Sequence, residues 1–304
     1  MTWPLPPPTT AADALRAATR RLAAADIETP RLDAEVLLRH VLGLDRTALF
    51  LRLLESVAAD DLARFAALIE RRLAGEPVAY LTGTREFMGL PFAVRPCVLI
   101  PRPETELLVE WALAWLRARP VPTRPIVLDV GTGSGAIILS LAHHLGPVWP
   151  GLLVGADRSR AALSVAAENR ARLGLNERVR LVRGDLIAWC GGPIDLLLAN
   201  LPYLRPDQVD ANPDLGAEPR LALVGGADGL DLVRRLVADA PRALAPRGGL
   251  ALEIDPSQAE TVAGLVATAL PDAAVAILPD LAGRPRHVVA SRADDQQVSK
   301  SVSE

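Results

Sequence analysis

Lysine is all but missing from this sequence: Lys300 is the only one among 304 residues, and the 33 basic residues are otherwise arginine. They face 36 Asp and Glu, for a formal net charge of −3. That balance gives no global pull toward nucleic acid, and no direct nucleic-acid partner is expected. The arginine bias reads as composition rather than as a binding surface. Cysteine is as scarce. Cys97 and Cys190 form neither a metal-ligand spacing nor a disulfide framework. A reducing, cytoplasmic compartment is the expectation. No apolar run approaches the ~18 residues of a membrane span, so no membrane partner is expected. The first residues, Met1-Thr2-Trp3-Pro4-Leu5, lack the basic start and apolar core of a signal peptide. Half of the residues are apolar, 50%, enough to build one large core or two ordinary ones. A monomer is the default expectation.

The patterning changes along the chain. From Thr10 to Gly75 apolar residues recur at helical spacing, as in Leu62, Phe65, Leu68, Ile69 and Leu73, which run up to Gly75. This predicts a small helical bundle without catalytic groups. Between Val78 and Arg95, Tyr80-Leu81-Thr82-Gly83 and Leu90 to Val94 read as two short strands of a hairpin. A helix follows over 107–118, its entry marked by Pro103 and by the acidic residues after it. Beyond Pro125, strands are predicted at 126–130, 152–156, 178–183, 194–199, 248–254, 273–278 and 286–291. Helices are predicted at 134–145, 158–173, 228–244 and 257–269. Such alternation implies an α/β fold with a mostly parallel sheet covered on both faces, closed by an antiparallel hairpin at one edge. The expected partition is a helical domain at 1–75, a hairpin linker at 76–101, a catalytic domain at 102–292 and a disordered tail at 293–304.

The first chemical signal is Gly131-Thr132-Gly133-Ser134-Gly135, between the strand Ile126–Val130 and an apolar helix. Glycines let a backbone approach a ligand, and a helix start offers free N–H groups. Gly131, Gly133 and Ala136 also fit a dinucleotide fingerprint. Three carboxylates shift the balance. Asp129 lies two residues before the first glycine, where it suits an ammonium better than a pyrophosphate. Asp157 ends the next strand, where it can take a ribose diol. Asp185 follows the third and can reach an adenine amino group. Each alone is an ordinary strand end or helix cap. Together they describe a ligand with ammonium, ribose and adenine but no phosphate, namely S-adenosylmethionine.

The second signal is Asn200-Leu201-Pro202-Tyr203, after the apolar run Ile194–Ala199. The Asn200 amide oxygen and the Leu201 carbonyl can accept the two hydrogens of a planar NH2 group. Pro202 holds Leu201 extended, and the Tyr203 ring can cover the plane. Ligands of open α/β sheets bind outside the carboxyl ends of the strands. Asn200 should therefore face the same crevice as the three aspartates, and an NH2 acceptor beside a methyl sulfonium implies N-methylation.

With these residues in place, the chain resembles the bacterial release-factor glutamine methyltransferases from about residue 11 to residue 291. The resemblance rests on Leu32-Asp33-Ala34-Glu35-Val36, on Glu76-Pro77-Val78-Ala79-Tyr80 and above all on Val98-Leu99-Ile100-Pro101-Arg102-Pro103-Glu104-Thr105-Glu106. Glu218-Pro219, Gly225 to Leu230, Leu252-Glu253-Ile254 and Asp280 to Arg284 extend it. It implies a seven-stranded Rossmann-like class I methyltransferase domain, a helical N-terminal domain that contacts release factors, and S-adenosylmethionine as cofactor. It implies further that Gly131, Gly133 and Gly135 line the cofactor loop, that Asp157 binds the ribose, and that Asn200 and Leu201 hold the glutamine amide of a Gly-Gly-Gln loop. Two departures stand out. Leu201 replaces the family's first proline, a form shared with rRNA adenine dimethyltransferases, so N6-adenine methylation of RNA or DNA remains a rival. Cys97 stands where the family often has glycine. A non-catalytic binding module is a third reading, against which both motifs speak.

Overall fold

The computed structural model describes residue 3, residue 6, residues 8–118 and residues 124–292. The tail expected at 293–304 lies outside the described residues. The chain divides into two compact units, Met1–Thr84 with Pro213–Ala217, and Arg85–Asn212 with Glu218–Glu304.

In the first unit, a short pairing of β1 (Thr9–Thr10) with β2 (Ser56–Val57) joins α1 (Ala11–Ala23), α2 (Pro30–Leu42), α3 (Arg46–Leu51), α4 (Ala59–Leu73) and α5 (Val78–Thr82). Local rules place the ends. The Thr10 hydroxyl caps α1 by accepting the Asp13 N–H at 3.1 Å, and Gly43, at φ 64°, stops α2. The core gathers Ala14, Ala18, Leu22, Leu37, Leu38, Phe65 and Ile69. A buried Asp33 ties α2 to α4, accepting from Arg72 Nε at 2.8 Å. Of the stretch Tyr80–Gly83, expected as a strand, Tyr80 to Thr82 are helical instead. Pro77 opens this single turn and Gly83 closes it at φ 70°. Burial of Tyr80 and Leu81 overrides a sequence too short to show a period.

From the boundary of the two units at Thr84, β3 (Thr84–Phe87) and β4 (Leu90–Ala93) form the hairpin around Gly89. It starts four residues later than expected. Next come α6 (Pro103–Ala118), β5 (Ile126–Val130), α7 (Ala136–Leu145), β6 (Leu152–Asp157), α8 (Arg160–Arg172), β7 (Val179–Arg183) and β8 (Ile194–Ala199). Short helices α9 (Pro206–Asp210) and α10 (Arg220–Leu223) precede α11 (Asp231–Ala243), β9 (Leu244–Glu253), α12 (Ala259–Ala269), β10 (Ala273–Pro279) and β11 (Pro285–Arg292). The seven strands are ordered β10-β11-β9-β8-β5-β6-β7. All run parallel except β11, which is antiparallel to both neighbours. All seven predicted strands are present, and the late hairpin is antiparallel at one edge as expected. The apolar core lies on both faces of the sheet, with Leu197, Leu236, Val262 and Val288 in one cluster and Leu108, Val127, Ile138 and Leu196 in the other. Burial on both faces explains why β5 and β8 are apolar on both sides of the pleat, each interrupted by one aspartate, Asp129 and Asp195. Among the described residues no helix is long and apolar enough to cross a membrane.

Candidate functional site

The order of strands reverses between β8 and β5, and the carboxyl ends of β5, β6, β7 and β8 open onto one crevice. It encloses about 310 Å³, within the range of small-molecule sites. Its walls include Gly131 to Ser134, Asp157, Asp185 and Asn200 to Pro202, together with Cys97 to Leu99, Pro101, Arg102 and Thr105 from the segment leading into α6. The glycine loop, two of the three aspartates and the amide-holding motif therefore share one site.

The loop after β5 turns back on its neighbour: the N–H groups of Gly131 and Thr132 both donate to the Ala156 carbonyl, at 2.8 and 2.9 Å. Gly131 sits at φ 75°, and a Cβ there would lie 3.2 Å from Leu201 Cδ2. The glycine thus admits the leucine side chain of the second motif, a coupling that neither motif shows alone. Gly135, at φ 85°, opens α7. Asp157 is anchored through both oxygens, Oδ2 accepting from Gly133 N at 3.0 Å and Oδ1 from Ser159 N at 2.8 Å. Each oxygen retains a lone pair for a diol in the crevice. Burial pushes its carboxyl up, opposed by those two backbone donors.

Asp129 differs from expectation. It is fully buried and is not part of the crevice wall, so it meets no ligand surface there. Its Oδ2 accepts from the Thr132 hydroxyl at 2.5 Å, while Oδ1 has no hydrogen-bond partner. Burial raises its carboxyl from 3.8 to about 7, the Thr132 hydrogen bond opposing and the nearby Asp157 adding to the rise. A carboxyl with a raised folded-state value binds its proton more tightly in the native state. The associated stability is present at acid pH and is lost between about 4 and about 7. Over that window the cofactor-free protein should lose at most ~1.4 kcal/mol per pH unit from this group. Asp129→Asn should flatten the slope in urea titrations at pH 5 and pH 8; an unchanged slope would assign the pH dependence elsewhere.

Asp185 does line the crevice, but its Oδ2 accepts from Arg235 at 2.6 Å. Tyr203 also departs from expectation. It lies outside the wall, and its hydroxyl donates to Glu253 Oε1 at 3.3 Å. Burial and then the Glu253 charge push the phenol well above its ordinary value. It stays a neutral donor.

Asn200 is tethered through its amide nitrogen. Its Nδ2 donates to Thr105 Oγ1 at 3.1 Å, and Thr105 Oγ1 donates to Glu253 Oε2 at 2.6 Å. Thr105 and Glu253 are 4% and 2% exposed, so the bond between them is shielded from water, while Asn200 is half-buried. The turn after Asn200 is held by close backbone contact. A Cβ at Gly225 would meet the Pro202 carbonyl oxygen at 2.2 Å, and the Gly225 N–H donates to Leu204 O at 2.9 Å. Gln258 Nε2 donates to the Tyr203 carbonyl at 2.9 Å. A second strut fixes the opposite wall: buried Glu218 pairs with Arg102 and accepts the Ile100 N–H at 3.0 Å. Sequence reasoning gave no role to Thr105, Glu253, Glu218 or Gln258. For the first three the only signal was their place inside motif strings, because their partners lie from 50 to 148 residues away.

Two family models match: PrmC N-terminal domain at residues 13–83, and Methyltransferase domain at residues 125–265. The chain is 47% identical to the release factor glutamine methyltransferase of Moorella thermoacetica, over 93% of this chain and 98% of that one. It is 45% identical to that of Deinococcus radiodurans, over 92% and 98%. Among solved structures, a T. thermophilus 16S rRNA N2 G1207 methyltransferase in complex with AdoMet and guanosine matches with a TM-score of 0.50. The identity is 20%, over 69% of this chain and 50% of that one, a likeness of fold.

Proposed function

This chain belongs to the release factor glutamine methyltransferases, and on that premise we propose that it methylates the side-chain amide nitrogen of the glutamine in the Gly-Gly-Gln loop of peptide-chain release factors. Its cofactor is S-adenosylmethionine. The crevice fits that group. Asp157 offers acceptors for a ribose diol, and the glycine loop allows close backbone approach. In this reading Gly131, Thr132, Gly133 and Asp157 would hold the cofactor, while Gly135, outside the wall, shapes the loop at the start of α7. Asp185 borders its adenine end, and Asp129 supports the loop from behind through Thr132. When bound, the cofactor supplies an electrophilic methyl group.

The rest falls to the chain. A neutral amide nitrogen is a weak nucleophile because its lone pair is shared with its carbonyl. The crevice wall carries no strong base beside Asn200, so positioning is the main contribution. Asn200 Oδ1 and the Leu201 carbonyl accept the two amide hydrogens and turn the nitrogen toward the methyl group. Pro202 keeps Leu201 extended. Tyr203 serves through its hydroxyl bond to Glu253 rather than by covering the amide. Holding the reactants in line at an effective molarity of ~10⁵ M is worth about 7 kcal/mol. The observation that carries this reading is the Asn200 carboxamide, tethered through its nitrogen in the wall that also holds Asp157 and the glycine loop.

Incubation with purified release factor and the methyl donor, followed by mass spectrometry of the Gly-Gly-Gln peptide, tests it. A gain of one methyl on the glutamine is expected. An adenine-containing oligonucleotide serves as the rival substrate, because Asn-Leu-Pro-Tyr also occurs in adenine methylation. Efficient adenine methylation with an unmodified glutamine would sink the proposal.

A further inference from the structure

We infer that Thr105 is a positioning residue that sets the polarity of the Asn200 carboxamide, and that Glu253 sets Thr105. The inference rests on the glutamine reading above. The two ends of a carboxamide are nearly the same size and opposite in hydrogen-bonding sense. Presented one way round, Asn200 offers an acceptor to the crevice; flipped, it offers donors, which would repel an incoming NH2 group. Shape alone does not choose between them. The neighbouring hydroxyl does. Thr105 Oγ1 has one hydrogen, and at 2.6 Å the Glu253 carboxylate takes it. The Thr105 oxygen is then left as an acceptor toward Asn200, and only the Nδ2 end satisfies it, at 3.1 Å. Oδ1 is thereby the end left over for substrate. Glu253 is held in turn by the Tyr203 hydroxyl on its other oxygen. The direction of every hydrogen from Tyr203 and Thr105 to Asn200 follows from one buried carboxylate. A reversed Asn200 would leave Thr105 facing a second acceptor in a shielded site, where an unmatched polar pair is costly.

Turnover is to be measured on whole release factor, with calorimetric affinity for S-adenosylhomocysteine and melting temperature measured in parallel. Thr105→Val keeps the shape and removes the hydroxyl. It should lower kcat at least tenfold, leave KM and cofactor affinity within threefold, and be reversed to within threefold of wild type by Thr105→Ser. A hydroxyl that acts through Asn200 has nothing left to orient once that residue is gone. In an Asn200→Ala background, Thr105→Val should therefore cost less than twofold more. Retained kcat in Thr105→Val would overturn the inference, as would an equal loss in both backgrounds. Should the valine variant fold poorly, Thr105→Ala takes its place in the same comparison. A wild type inactive on release factor would refute the glutamine reading, a result separate from the behaviour of the variants.

Discussion

Asn200→Ala should lower turnover on release factor at least a hundredfold while leaving cofactor affinity nearly unchanged. The substitution deletes the acceptor that orients the nucleophile, and one preorganised contact of this kind is worth ~2.7–4 kcal/mol. The loss should fall on kcat, since the contact matters most when the nitrogen lone pair points at the methyl group. Leu201→Pro supplies the contrast. If the second hydrogen is accepted by a backbone carbonyl, the side chain at 201 is free to change chemically, and activity should stay within about tenfold, ~1.4 kcal/mol. Stability should fall nevertheless, because Leu201 is 4% exposed and belongs to the core cluster. Comparable kcat losses in the two variants would mean that position 201 contributes more than a carbonyl. Loss of cofactor binding in Asn200→Ala would move that residue out of the amide-holding role.

The second large effect concerns the helical unit. Deletion of residues 1–83 should reduce methylation of the intact release factor by more than a hundredfold, with S-adenosylhomocysteine still bound. Every residue of the crevice wall lies in the unit made of Arg85–Asn212 and Glu218–Glu304, so the cofactor site should survive the cut. The bundle brings no group to that wall and is the part left to recognise a protein substrate. The cut belongs near residue 84 rather than at 75, because α5 is part of the helical unit. Segment Pro213–Ala217 also groups with that unit, so the melting temperature of the truncated chain has to be followed alongside. Full activity of a soluble truncation on whole release factor would refute a recognition role. Failure to bind cofactor would show that the bundle supports the fold instead.

Wherever the information was local, the sequence by itself determined the result. Mostly apolar runs leading up to Gly131, Asp157 and Asn200 located three strand ends, because strands buried on both faces carry few polar residues. Helical spacing located the bundle, and Pro103 with the acidic residues after it marked the entry to α6. Tertiary structure decided what depends on partners far along the chain. Tyr80 and Leu81 became helix because their burial outweighed a weak local preference. Asp129 was drawn behind the loop because Thr132 turns back onto it, and no spacing rule reports which way a strand-end carboxylate faces. Tyr203 turned its hydroxyl to Glu253, fifty residues away. The pairing of Thr105 with Glu253, 148 residues apart, exists only because α6 packs against β9. A sequence names the donors and acceptors, but the direction in which each shares its hydrogen is settled when the folded chain brings them within reach and excludes water.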